Sequence, residues 1–266
     1  MTLVIDWHLA RALLEWQVEL GVTDAVLAAP VDRLSVVSPV ADSARAAAPA
    51  QTAAPLIVNA AAPAEDAAAL AAQIAADAPD LPTLAGALAD FSLCDLKRGA
   101  RTCVFADGNP KARVMIVGDG PGPEDDRAGL PFVGPAGRLL DQMFAAIGLT
   151  RSSPDPAHAL YLTHALPWRV AANHDPTPAE MAMLRPFLQR HIALIQPDFL
   201  VLMGNLACEA LLARRGIRQL RGTWVEAQGV PALPMLPPDD LLRHPLAKRE
   251  AWADLLTLNA RLQTRP

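Results

Sequence analysis

The chain has 266 residues, with 52% hydrophobic and 19% charged side chains and a formal net charge of −5. That length can bury a sizeable core, and no uncharged apolar run approaches the roughly 18 residues that mark a spanning helix, so a helical membrane protein is excluded. Cys94, Cys103 and Cys208 form no CxxC pair, which argues against a disulfide framework or a zinc knuckle and for buried free thiols.

Charge is spread unevenly. Residues 1–84 carry 3 Arg and Lys against 10 Asp and Glu, whereas residues 85–266 carry 20 against 18. Neither part has the basic excess that announces nucleic acid by bulk electrostatics, so any DNA reading must come from a site. The first residues include Asp6 and His8, with no basic n-region and no small-residue cleavage site; the default expectation is a cytoplasmic protein.

In chain order, residues 5–28 space Leu9, Leu13, Leu14, Val18 and Leu20 as an amphipathic helix that Gly21 can stop. Its polar face lacks a lysine cluster, so docking on protein is favoured over a membrane surface. Residues 29–84 are rich in Ala and Pro and read as a linker holding a short helix over 65–76. From 85 onward the texture is that of one domain. Strands are expected at 113–117, 159–166, 199–203, 222–227 and 232–236, and helices at 137–147, 178–194, 205–212 and 245–262. Thr177, Pro178 and Glu180 open the second of these helices as a capping box. Such alternation implies a three-layer αβα fold with a mainly parallel sheet, whose ligand site lies at the carboxyl ends of the strands.

At one such end stands GDGPGPEDDRAGLPFVGPAG, residues 118–137, with six glycines, four prolines and four acids. It is no dinucleotide fingerprint, because Gly118, Gly120 and Gly122 are spaced by two and Pro123 stands where the third glycine of G-x-G-x-x-G should be. Nor is it a P-loop, since no lysine lies between Lys111 and Lys248, and clustered acids would repel phosphate. The prolines stiffen the loop into a preformed wall that holds Phe132.

This loop, together with LTHALPW, TPAE, LRPFLQRHIALIQPDFLVLMG, LRGTW and LLRHPLAKREAW in collinear order over residues 85–262, resembles the uracil-DNA glycosylase superfamily, in particular its family 4 branch. The resemblance implies hydrolysis of the N-glycosidic bond of a deaminated base, in which positive charge develops on the sugar and negative charge on the base. It implies that Asp119 takes the place of the acid that orients water and that Phe132 stacks on the flipped base. His164 stands where the family has its base-reading asparagine, and the backbone of Gly118, Gly120 and Gly122 lines the same pocket. Pro237, Pro238, Leu241, Leu242 and Arg243 match the DNA-contacting loop.

Two departures from the family's pattern matter. Pro237 replaces the histidine that stabilises the departing base, and it has no donor; loss of one such donor costs about 10²- to 10³-fold in rate. Asp239 and Asp240 add charge where a phosphate backbone would approach. The family's iron–sulfur ligands fall on Phe91, Cys94, Trp168 and Leu184, so no cluster is expected and apolar packing takes its place; no other cofactor or metal is expected. Three readings stay open: a glycosylase with weakened or altered base preference, a catalytically silent glycosylase-fold module that binds DNA or protein, and a hydrolase of a small nucleoside. DNA, single- or double-stranded, is the expected partner, with no membrane, and the N-terminal extension would serve a protein partner.

Overall fold

The computed structural model describes residues 64–170 and 175–264. The helix expected at 5–28 and most of the Ala/Pro segment, with the protein-partner role assigned to them, lie outside the described residues.

The sheet has six strands: β1 Ala106–Gly108, β2 Val114–Gly118, β3 Leu160–His164, β4 Phe199–Met203, β5 Val225–Ala227 and β6 Val230–Met235, in the order β1-β3-β2-β4-β6-β5. The four inner strands are parallel, and β1 and β5 close the edges in antiparallel fashion. Strands β2, β3 and β4 are buried along their whole length. That explains why β2 and β4 read as unbroken apolar runs: helices cover both faces of a parallel sheet.

Alternate residues of each strand feed opposite layers. Met115, Val117, Leu200 and Leu202 pack with α1 Ala64–Asp77, α2 Leu81–Asp90, α5 Pro178–Ile195 and α6 Asn205–Leu212. Val114, Ile116, Val201 and Met203 pack on the other side with α4 Gly134–Ala145 and α9 Lys248–Thr264, through Leu140, Phe144, Leu255 and Leu258. Each fully buried Leu or Phe contributes roughly 1.5–3 kcal/mol, so the expected three-layer αβα arrangement rests on this two-sided burial.

Several boundaries move for local reasons. Helix α4 begins at Gly134 and not at 137, because proline suits a first turn. Helix α5 starts on the expected capping box, with the Thr177 N–H donating to Glu180 Oε2 at 2.7 Å and the Glu180 N–H to Thr177 Oγ1 at 3.2 Å. The last helix opens at Lys248 after a 3₁₀ turn, Pro245–Ala247. Short helices α3 Pro123–Ala128, α7 Ile217–Leu220 and α8 Pro238–Arg243, and the edge strand β1, were not expected. Arg221 at the end of α7 chelates Asp254 of α9 at 3.0 and 2.5 Å, and Arg261 lies 4.0 Å over the Trp224 ring; these contacts account for the LRGTW motif.

The front edge of the domain is corrected. Helix α1, the short helix expected at 65–76, and the start of α2 fall inside the segment read as linker, yet Ala67, Ala71, Ala75 and Ala78 are buried in the main core. Arg190 of α5 donates twice to the Ala78 carbonyl, at 2.9 and 2.8 Å. Alanines four residues apart make one flat face on which α5 closes, and the same alanines make the segment look like low complexity. The packed core therefore reaches forward to Ala67, ahead of the boundary placed at 85.

Phe91, Cys94, Trp168 and Leu184 are all buried in that core cluster, and Phe91 meets Phe187 edge-on at 5.4 Å. Three of the four have no ligand atom, and burial pushes the Cys94 thiol up to about 11, away from the thiolate a cluster needs. These residues do not fit an iron–sulfur cluster. Cys94, Cys103 and Cys208 are all free thiols, with Cys94 and Cys208 buried.

His191 of α5 sits nearby, bonded to the Tyr161 hydroxyl at 2.8 Å and stacked on Phe105 at 4.4 Å. Burial holds it neutral, with its pKa lowered from 6.5 to about 3. The unfolded chain takes up this proton below pH 6.5 and the folded one does not, so its contribution is complete above pH 6.5 and is lost as the pH falls towards 3. Urea melts of the wild type and of His191→Gln will show the variant losing about 2 kcal/mol less stability between pH 6.5 and 5; parallel losses would refute the assignment.

Candidate active site

The sheet register sets the site. Gly118 pairs with His164 on one side and Met203 on the other, and Met203 pairs with Met235. Four parallel strands thus end on one row, and the segments leaving them, beginning Asp119, Ala165, Gly204 and Leu236, converge above it. At Gly118 the backbone must be bare. A Cβ there would stand 2.6 Å from His164 Nδ1 and 2.6 Å from Phe132 Cζ.

Two of the loop's acids hold the loop together. Asp125 accepts from the Gly122 N–H at 3.0 Å and the Val133 N–H at 2.6 Å. Asp126 accepts from the Arg101 and Thr102 N–H groups at 2.8 and 3.2 Å. Both are buried. Burial would raise the Asp125 carboxyl, but His164 and the N–H groups of Val133 and Gly122 outweigh it and hold the carboxyl below the usual range. These two carboxylates staple the proline-rich loop to the backbone around it.

Phe132 adopts a left-handed φ of 54°, a conformation that costs a non-glycine residue about 1–3 kcal/mol and persists only where surroundings impose it. Arg151 does so. Its guanidinium donates to the carbonyls of Pro131 and Phe132, both at 3.1 Å, and is itself held by Asp107 at 3.0 Å and Asp141 at 2.8 Å. On the far side Gly137 admits the Phe132 carbonyl, which a Cβ would meet at 1.7 Å. Arg151 escaped the sequence reading because its partners lie in three other segments and no local pattern marks it.

A cavity of about 650 Å³ opens above the row. Asp119, Phe132, His164, Gly118, Gly120 and Gly122 all border it, and so do Pro237, Pro238, Leu242 and Arg243 from the far side. Leu241 does not: it is fully buried and offers DNA no surface, which corrects its assignment to the contacting loop. The reason is helical. Residues 238–243 form α8, whose first turn accepts Pro238 and is stabilised by Asp239 and Asp240, and one face of that turn must point inward. Asp240 is paired with Arg243 at 2.5 Å, so its charge is partly cancelled. Partial burial raises the Asp239 carboxyl; Arg243 and His164 oppose this, while Asp125 and Asp240 add to it. His244 borders a different cavity.

Asp119 caps α6. Its carboxylate accepts from the Ala207 N–H at 2.9 Å and the Asn205 N–H at 3.1 Å, and Gly204, at φ 120°, leaves room for it. Burial raises its pKa against the opposing pull of the Ala207, Leu206 and Asn205 N–H groups and of His164. This is a partly desolvated carboxylate, fixed in orientation and bordering the cavity. His164 Nε2 lies 3.4 Å from Asp125 Oδ2, but neither ring nitrogen has a hydrogen-bond partner among the described residues. Its ring is tilted 35° against Phe132, with centroids 4.6 Å apart. Among the described residues no group of three or more His, Cys, Asp or Glu side chains could hold a metal ion, and no helix is long and apolar enough to cross a membrane.

The chain is 39% identical over 116 residues to a type-4 uracil-DNA glycosylase of Archaeoglobus fulgidus, covering 44% of this chain and 55% of the relative. It is 32% identical over 154 residues to the type-4 enzyme of Thermotoga maritima, covering 57% and 77%. It is 32% identical over 122 residues to a type-5 uracil-DNA glycosylase of Thermus thermophilus, covering 42% and 55%. The match thus spans about half the length of the first and third of these relatives. The family model described as "Uracil DNA glycosylase superfamily" matches residues 105–256, more than half of the chain and including every residue that borders the cavity, and the chain therefore belongs to the uracil-DNA glycosylase superfamily.

Proposed function

We propose that the protein hydrolyses the N-glycosidic bond of a deaminated base in DNA, as a glycosylase with weakened or altered activity. The observation that carries this reading is that Asp119 and Phe132 border one cavity of about 650 Å³ at the carboxyl ends of the parallel strands. Phe132 would stack on the flipped base. Asp119 keeps lone-pair capacity beyond its two N–H bonds, enough to orient a water and to face the positive charge that develops on the sugar. At the other end Pro237 borders the cavity as the residue before α8 and supplies no donor to the leaving base, which is the ground for proposing weakened activity. The names of the relatives support uracil as the first base to try. Pro237 and the charge of Asp239 favour a second reading, a silent module that binds DNA or a protein without turnover.

Oligonucleotides carrying uracil, hypoxanthine or xanthine, single- and double-stranded, followed by alkaline cleavage of abasic sites, separate the two. Scission that disappears in Asp119→Ala supports the enzyme; salt-sensitive retention of DNA without scission supports the module. Because Asp119 must be ionised to work and its pKa is raised by burial, the acid limb of the rate profile will lie above the usual aspartate range of about 4. Pro237→His restores a donor and will raise uracil excision at least about tenfold; an unchanged rate means the donor is not what is missing. Arg151→Met releases the strained Phe132 turn, so binding of a base-bearing strand will weaken about tenfold while an abasic strand binds as before, and Arg151→Lys will restore part of it. Equal weakening of both strands would make Arg151 a general scaffold residue only.

A further inference from the structure

We propose that His164 gates this pocket: in the form described here its imidazole occupies the seat on Phe132 that a flipped base would take, and a base enters only when the imidazole swings away. The proposal rests on the reading above that the seat is meant for a nucleobase, and it deepens that reading by naming the side chain that decides admission.

The seat is already full. The two ring centroids are 4.6 Å apart, which is the spacing of one direct ring contact; a base sandwiched between them would need about 9 Å, twice the minimum centroid separation of about 4.5 Å. Both rings also press on the same floor, since each comes within 2.6 Å of where a Gly118 Cβ would be. No space for a third ring remains on this face of Phe132.

No hydrogen bond locks the imidazole in place among the described residues. The His164 side chain is only 3% exposed, yet neither Nδ1 nor Nε2 has a hydrogen-bond partner among the described residues. Buried donors and acceptors are normally paired, and an unpaired one is a standing cost. That cost is relieved when the ring turns into the cavity it borders, or when an incoming base offers its own polar edge. Asp125 Oδ2, 3.4 Å from Nε2, stands beyond ordinary hydrogen-bond length, and its carboxylate is already fixed by the Gly122 and Val133 N–H groups. The tilt of 35° also departs from the parallel or edge-on geometries that ring pairs prefer.

Such a gate selects by the ease of flipping. An incoming base must replace the contact between Phe132 and His164 and also leave its own stack. Unpaired or mispaired bases leave most cheaply, and the pocket therefore admits them first.

The test compares the wild type with His164→Ala and His164→Ser on three ligands: a single strand carrying a non-cleavable 2′-fluoro-deoxyuridine, the same strand with a tetrahydrofuran abasic residue, and free uracil followed by saturation-transfer NMR. The expected result is at least tenfold tighter binding of the fluoro-uridine strand by both variants, abasic-strand affinity within about twofold of wild type, and a uracil signal stronger in the variants. Thermal melts identify a misfolded variant, in which case the other one decides. Equal or weaker binding of the fluoro-uridine strand by the variants would overturn the gate and make His164 a base-reading residue. Should no form bind either strand, the glycosylase reading fails, and free uracil decides the gate alone: a signal in the variants and not in the wild type upholds it, and no signal in any form overturns it.

Discussion

At the end of β2 the chain has no side chain, and the site is organised around that gap. The rings of Phe132 and His164 meet over Gly118 because a Cβ there would lie 2.6 Å from both. The sheet register places the glycine between β3 and β4 at their last residues, so two segments distant in sequence can lean over it. The position is unforgiving, since even alanine would push apart the aromatic wall and the residue facing it. Everything else at this end of the sheet, from the Asp125 staple to the Arg151 hold on the Phe132 turn, keeps these two rings above one bare backbone position.

The acids of the loop look alike in sequence and differ in physical role. Asp125 and Asp126 are consumed by backbone N–H groups and behave as parts of the covalent frame. Asp119 is also bonded to N–H groups, but at the open start of α6, where it borders the cavity. The helix dipole favours its charge and burial opposes it, and burial is the larger effect. A carboxylate in that balance is held in one orientation at the cavity wall. The acids of α8 differ again: Asp240 is paired with Arg243, which partly offsets its charge, while Asp239 borders the cavity.

The opposite layer shows how one fold can be held by different means. Where the family's pattern has cluster ligands, this chain buries Phe91, Cys94, Trp168 and Leu184 in its main core, with non-directional apolar burial in place of directional bonds. The alanine face of α1 adds to the same cluster by close helix contact. Neither feature touches the cavity; both hold α5 and the back of the sheet, against which β3 and its terminal His164 are placed.

Strand and helix types, the αβα class, the loop after β2 and the identity of Asp119, Phe132, His164 and Pro237 as site candidates were legible in the linear pattern, because they depend on short-range periodicity and on motifs kept in order. Other features were not. Arg151 acts through partners far away in the chain, Leu241 faces inward only because α8 forms, α1 joins the core only because α5 offers it a surface, and His164 covers Phe132 only because the register brings β2 and β3 level. The sequence by itself determined which chemical groups are present and which faces must be buried, since composition and period act over a few residues. Only the tertiary structure decided which groups meet, because distances of a few ångströms between segments tens of residues apart follow from strand register and packing, and no local pattern encodes them.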